Sequence, residues 1–104
     1  MIQKLDPPLL LVVTRTDWPQ LLAEIAYLLG DPTPENPDVR EPLSQRLLAD
    51  RLEIPRETLR GWMDGSEPRH TDGERLIAVW VQLTGKARTF IPTTRVSFSA
   101  ARVR

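Results

Sequence analysis

Arg56, Glu57, Arg60 and Asp64 stand at i, i+1, i+4 and i+8, a spacing that lines four charged side chains along one helical face. Leu59 and Trp62 supply the opposite, apolar face, and Asp64-Gly65 ends the segment. A short helix with such a face can enter a major groove, where its N-terminal residues meet base edges and its dipole favours phosphate. The bland alternative is a solvated face with an internal ion pair, since Glu57 and Arg60 lie three apart. Other chemistry is poorly supplied. His70 is the only histidine and there is no cysteine, so zinc, a disulfide and a Ser/His/Asp arrangement find no residues. The five glycines are scattered at helix ends rather than gathered into a phosphate loop. No catalytic residue, metal or cofactor is expected.

A preceding helix must hold that face in place. Ser44 is placed to cap it, with Leu43 and Leu48 as the halves of a hydrophobic staple. Leu47, Leu48, Ala49 and Leu52 give its apolar positions, and it stops near Glu53. A turn through Ile54 and Pro55 leads into the helix from Arg56 to Met63. Two short helices joined this tightly pack only around a small residue, here Ala49. Leu48, Leu52, Ile54, Leu59 and Trp62 complete the shared core.

In these residues the chain resembles the Cro/CI-type (lambda-repressor-like, XRE-type) helix-turn-helix family. The likeness runs through Ser44-Gln45, Leu48-Ala49, Leu52, Ile54, Leu59, Trp62, Gly65 and Pro68, closely over 43–69 and loosely over 17–85. It implies that Gln45 reaches a phosphate, that Arg56, Glu57 and Arg60 face bases, and that Thr58 sits at the groove edge. Arg46 and Arg69 become candidate phosphate contacts. Arg can pair bidentately with guanine, and Glu can accept from cytosine N4. Three positions depart from the family. Glu53 stands at the usual turn glycine, and a left-handed Glu there costs about 1 kcal/mol. Pro55 replaces the usual Ser or Gly cap, and the loop ahead of Ser44 is longer than is customary.

The flanking elements follow from the same signals. Residues 9–13 are a short apolar run that suits a strand, although Asp6-Pro7-Pro8 ahead of it could open a helix. Asp17 caps a first helix with Gln20 in capping-box position. Trp18, Leu21, Leu22, Ile25, Leu28 and Leu29 form its apolar face, and Gly30 ends it. Residues 31–42 hold four prolines and predict a surface loop with no regular element. Thr71 and Glu74 read as a second capping box, ahead of a helix closed by Gly85. Beyond Lys86, Phe90, Ile91, Val96 and Phe98 fit extended structure, either a hairpin around Pro92-Thr93-Thr94 or a strand pairing with residues 9–13 or with a second subunit.

Charge is balanced in total but not along the chain. Residues 1–42 carry three basic and seven acidic side chains, whereas residues 43–104 carry eleven and seven. That asymmetry suits a polyanion-facing half. The longest apolar run is too short to span a bilayer, and the expectation is a cytoplasmic protein without a membrane partner.

The expected architecture is a single, mainly α domain over 1–104, a lambda-repressor-like bundle of four or five helices with a small terminal β element. Residues 1–16 would form an N-terminal extension or strand, 17–85 the helical core with its helix-turn-helix at 44–65, and 86–104 a basic extension serving as strand or dimerisation arm, the alternatives being a disordered tail or one that tracks phosphates. The expected function is a sequence-specific regulator of phage, plasmid or bacterial origin, most simply a repressor, bound as a homodimer to a palindromic duplex DNA operator. Trp18, Trp62 and Trp80 are expected to pack in the core, with Trp80 alternatively joining Val79, Leu83, Phe90 and Phe98 as a dimer contact. The competing function is a protein-interaction module, an antitoxin or phage-encoded inhibitor that binds its partner through the apolar 76–83 surface or the tails.

Overall fold

The computed structural model describes residues 11–98. Leu9, Leu10, the Asp6-Pro7-Pro8 segment and the basic Arg102 and Arg104 lie outside the described residues, as does the side chain of Phe98. The described chain is mainly helical with two small antiparallel sheets. Its elements run β1 (Leu11–Thr16), α1 (Trp18–Leu28), β2 (Asp31–Pro32), β3 (Arg40–Glu41), α2 (Gln45–Leu52), α3 (Arg56–Met63) and α4 (His70–Thr84). A 3-10 turn (Arg88–Phe90) and β4 (Thr93–Phe98) follow.

α1 starts where its cap predicts: the Gln20 N–H donates to Asp17 Oδ1 at 3.1 Å. The reciprocal half of the capping box does not form. Gln20 Nε2 donates instead to Glu24 Oε2 at 3.0 Å, and the Asp17 N–H donates to the Pro92 carbonyl at 2.9 Å. Gly30 ends α1 for a different reason from a left-handed cap. A Cβ on Gly30 would stand 1.9 Å from the Glu41 carbonyl oxygen, so the site needs glycine because another backbone passes close by.

That backbone belongs to the proline-rich segment, which is not the featureless loop its composition suggests. β2 and β3 pair antiparallel, Asp31 with Glu41 and Pro32 with Arg40, and the Thr33 N–H donates to the Val39 carbonyl at 2.8 Å. Arg40 Nη1 donates to the Gly30 carbonyl at 2.8 Å, where a cation at a helix C-terminus is favourable. Leu43 N–H closes the excursion on the Ala26 carbonyl at 3.0 Å. The proline-rich segment is therefore pinned back onto α1.

The core lies among the four helices, with Leu21, Leu22, Ile25, Leu48, Leu59, Leu76 and Trp80 almost wholly enclosed. Trp18, Trp62 and Trp80 all pack there as expected. Trp80 is 1 % exposed and donates through Nε1 to Glu24 Oε1 at 2.8 Å, so it has no surface left for a dimer contact. Val79 and Leu83 are half-buried against the same core, whereas Phe90 is 70 % exposed. Leu47, expected among the apolar positions, points outward at 44 % exposure, because Leu48, Ala49 and Leu52 already occupy the inward face of α2.

α4 begins one residue before the predicted box. His70 is its first residue, Arg69 its cap position, and no side chain caps it. Glu74 turns instead to Arg88, which donates to both carboxylate oxygens at 2.6 and 2.5 Å. The hydrogen bond from Arg88 holds the Glu74 carboxyl below the usual carboxylate range. β4 then returns to pair with β1, Val13 opposite Val96 and Thr16 opposite Thr93. This is the pairing with the N-terminal segment rather than a local hairpin at Pro92.

Gly30→Ala tests the pinned segment. The clash is with backbone, so the helix end or β3 must shift, and chemical denaturation should show a loss of about 1–3 kcal/mol. A loss near zero would mean that the segment is not held against α1.

Candidate nucleic-acid interface

The two helices that carry the candidate residues are joined by a turn with defined hydrogen bonds. Ser44 caps α2, its Oγ accepting from the Leu47 N–H at 3.3 Å. At the other end Glu53 is left-handed (φ 58°, ψ 47°), its N–H donating to the Asp50 carbonyl at 3.2 Å and that of Ile54 to the Ala49 carbonyl at 2.9 Å. This pair of bonds is the Schellman arrangement. The reversal forms with Glu53 bearing a conformation that glycine takes more cheaply. Among the described residues it is the only non-glycine with a positive φ.

Pro55 follows with φ −57° and opens α3 without a side-chain cap. The first-turn N–H groups of α3 are thereby left to an outside acceptor, at an end whose dipole favours an anion. The helix ends on a second Schellman arrangement, Gly65 N–H to the Trp62 carbonyl at 3.1 Å and Ser66 N–H to the Gly61 carbonyl at 2.9 Å, now with glycine at φ 111°. Ala49, 1 % exposed, is buried with Leu48, Leu52, Ile54, Leu59 and Trp62 in one cluster, the shared core that the sequence requires.

The opposite side of α3 is open. Arg56, Glu57, Thr58, Arg60 and Asp64 are all exposed. Gln45 and Arg46, in the first turn of α2, and Arg69, just before α4, are exposed as well. Among the described residues no side-chain hydrogen bond engages Arg46, Arg56, Glu57, Arg60 or Arg69, and the ion pair that forms is Arg88 with Glu74. The internal Glu57–Arg60 pair does not form. A guanidinium pair, a carboxylate and an uncapped helix start are thus presented together, unspent on intramolecular partners. Such a set can donate bidentately to guanine or phosphate and accept from an amino group.

Two side chains that pattern reading missed hold this unit in place. Arg75 of α4 donates through Nη2 to the Leu52 carbonyl, placing a cation on the C-terminus of α2 beside the turn. Arg15 of β1 donates through Nη2 to the Gly65 carbonyl at 3.3 Å, at the end of α3. Neither could be found from local spacing, since the partners lie 23 and 50 residues away.

The described residues contain no cluster of His, Cys, Asp and Glu that could hold a metal, and no helix among them is long and apolar enough to cross a membrane. Compared with known proteins, the chain matches no family model, no curated protein and no solved structure. What the site can do is therefore argued from its own residues.

The strain at Glu53 makes a stability prediction. Glu53→Gly keeps the turn and relieves about 1 kcal/mol of left-handed strain, against about 0.5 kcal/mol of added unfolded-chain entropy, so the unfolding free energy from chemical denaturation should rise by about 0.5 kcal/mol. A destabilised variant would show that the exposed Glu53 carboxylate makes a contact worth more than the strain.

Proposed function

We propose that this chain is a small, sequence-specific regulator that binds duplex DNA through a lambda-repressor-like helix-turn-helix, with α3 as the helix that reads bases. The observation that carries the proposal is the unspent face of α3. Arg56, Glu57 and Arg60 stand exposed on a helix whose other side is locked into the core and whose start has no cap. Glu57 and Arg60 make no ion pair with each other, so the carboxylate and both guanidinium groups are open to an outside partner. At eight residues α3 is about 12 Å long, which fits the width of a major groove. Gln45 and Arg46 at the start of α2, Thr58 on α3 and Arg69 ahead of α4 would take phosphates on either side. A homodimer would place two copies of α3 about one helical turn apart on a pseudo-palindromic operator, repressing by occlusion.

The competing reading, a module that docks a protein through residues 76–83, loses most of its surface. Leu76, Ile77 and Trp80 are buried, and Val79 and Leu83 are half-buried against the core.

Selection from a random duplex library should return a defined sequence. Replacing both Arg56 and Arg60 by Ala should weaken binding to it by at least about 30-fold, on about 1 kcal/mol for each lost base contact. Both side chains are exposed, so the thermal midpoint should stay put. Native binding should also fall steeply with salt. A double variant that binds the selected duplex as tightly as the native chain would sink the assignment of α3.

A further inference from the structure

We propose that the ribbon formed by β1 and β4 is a second DNA-contacting element, lying along the phosphodiester backbone beside the groove that α3 enters. This rests on the reading of α3 as the base-contacting helix. The ribbon is paired from Leu11–Phe98 to Thr16–Thr93, and its base is tied to the helical body by the Asp17 N–H bond to the Pro92 carbonyl. Arg15, one residue pair from that base, donates to the Gly65 carbonyl at 3.3 Å, a contact between the ribbon and the C-terminal end of α3. If the N-terminal turn of α3 meets the bases, an element tied to its other end stands outside the groove floor, on the side where the phosphodiester backbone runs.

The chemistry of the ribbon fits that neighbour. Neither Leu11–Thr16 nor Thr93–Phe98 contains an acidic residue, and together they hold Arg15, Arg95 and four threonines, Thr14, Thr16, Thr93 and Thr94. The register places Arg95, Thr14, Thr16 and Thr93 on one face of the ribbon and Arg15 and Thr94 on the other, so the first face is a cationic and hydroxyl donor set for phosphate oxygens. Arg15 is engaged by the Gly65 carbonyl on the opposite face, so the contact turns on Arg95. Arg95 is exposed, lies opposite the exposed Thr14, and has no ion-pair partner among the described residues. A two-stranded ribbon is only marginally stable in water, so a polyanion along its length also supplies an outside partner that the fold itself withholds.

The test measures binding to the duplex selected by the native chain as a function of salt. Arg95→Ala should lower the slope of log affinity against log salt by about 0.9 for each ribbon engaged, with affinity several-fold weaker at low salt and base preference unchanged. Arg95→Lys should restore the slope, and Thr14→Lys, which adds a cation across the strand, should raise it by a similar amount. An unchanged slope in Arg95→Ala overturns the proposal. So does a loss that comes with altered base preference, which would mean Arg95 acts through α3, or one that comes with a change in sedimentation mass, which would make the ribbon a contact between copies. If Arg56 and Arg60 control binding while Arg95 does not, only the ribbon fails. If the native chain binds no duplex with salt dependence, the reading of α3 fails first.

Discussion

The bond from the Ile54 N–H to the Ala49 carbonyl is where the two central helices are made into one unit. Ala49 serves twice: its small side chain is buried where α2 meets α3, and its carbonyl ends α2. A larger residue there would push the helices apart, and a different chain reversal would turn the outer face of α3 elsewhere. That reversal requires a left-handed residue, and the chain accepts the cost of Glu at this position. Pro55 then sets the next φ near the value a helix start needs.

The surrounding structure stabilises this unit from three directions. α4 delivers Arg75 to the carbonyl end of α2, while its glycine, Gly73, lets the Trp18 ring lie against the helix backbone, a Cβ there standing 3.0 Å from the ring. Across the bundle Glu24 gathers the Trp80 indole and the Gln20 amide, so a half-buried carboxylate is shared between two donors and α1 is joined to α4. On the third side the ribbon reaches the end of α3 through Arg15. The face of α3 left uncovered by all three is the charged one.

Much of the fold was legible because its signals are local. The Asp17 and Ser44 caps, the Gly65 stop and the spacing of apolar residues bounded α1, α2 and α3 closely, Gly85 marked the end of α4, and α3 ran from Arg56 to Met63 as the spacing predicted. The buried set at Ala49, Ile54, Leu59 and Trp62 follows from the same periodicity. Where local reading went astray, a distant partner had intervened. Gln20 suits a capping box, but Glu24 engages its amide. Glu74 suits one too, but Arg88 engages its carboxylate. Gly30 has the look of a helix stop, and its lack of a side chain answers to Glu41. Four prolines argue against regular structure, yet short pairing survives because the segment is anchored at both ends by Gly30 and Ala26.

The sequence by itself determined which residues face outward on α3, because a helix sorts its side chains by a fixed angle per residue and the apolar positions claim one side. It also determined that no histidine–cysteine chemistry was on offer. Only the tertiary structure decided that the face is left unspent, that Trp80 is enclosed, and that the two ends of the described chain pair beside the end of α3. Those outcomes depend on which groups meet across many intervening residues, and spacing along the chain carries no information about such meetings. The physical reason is the range of the forces: caps and periodicity act within a turn or two, whereas a guanidinium finds its carbonyl wherever packing of the core brings it.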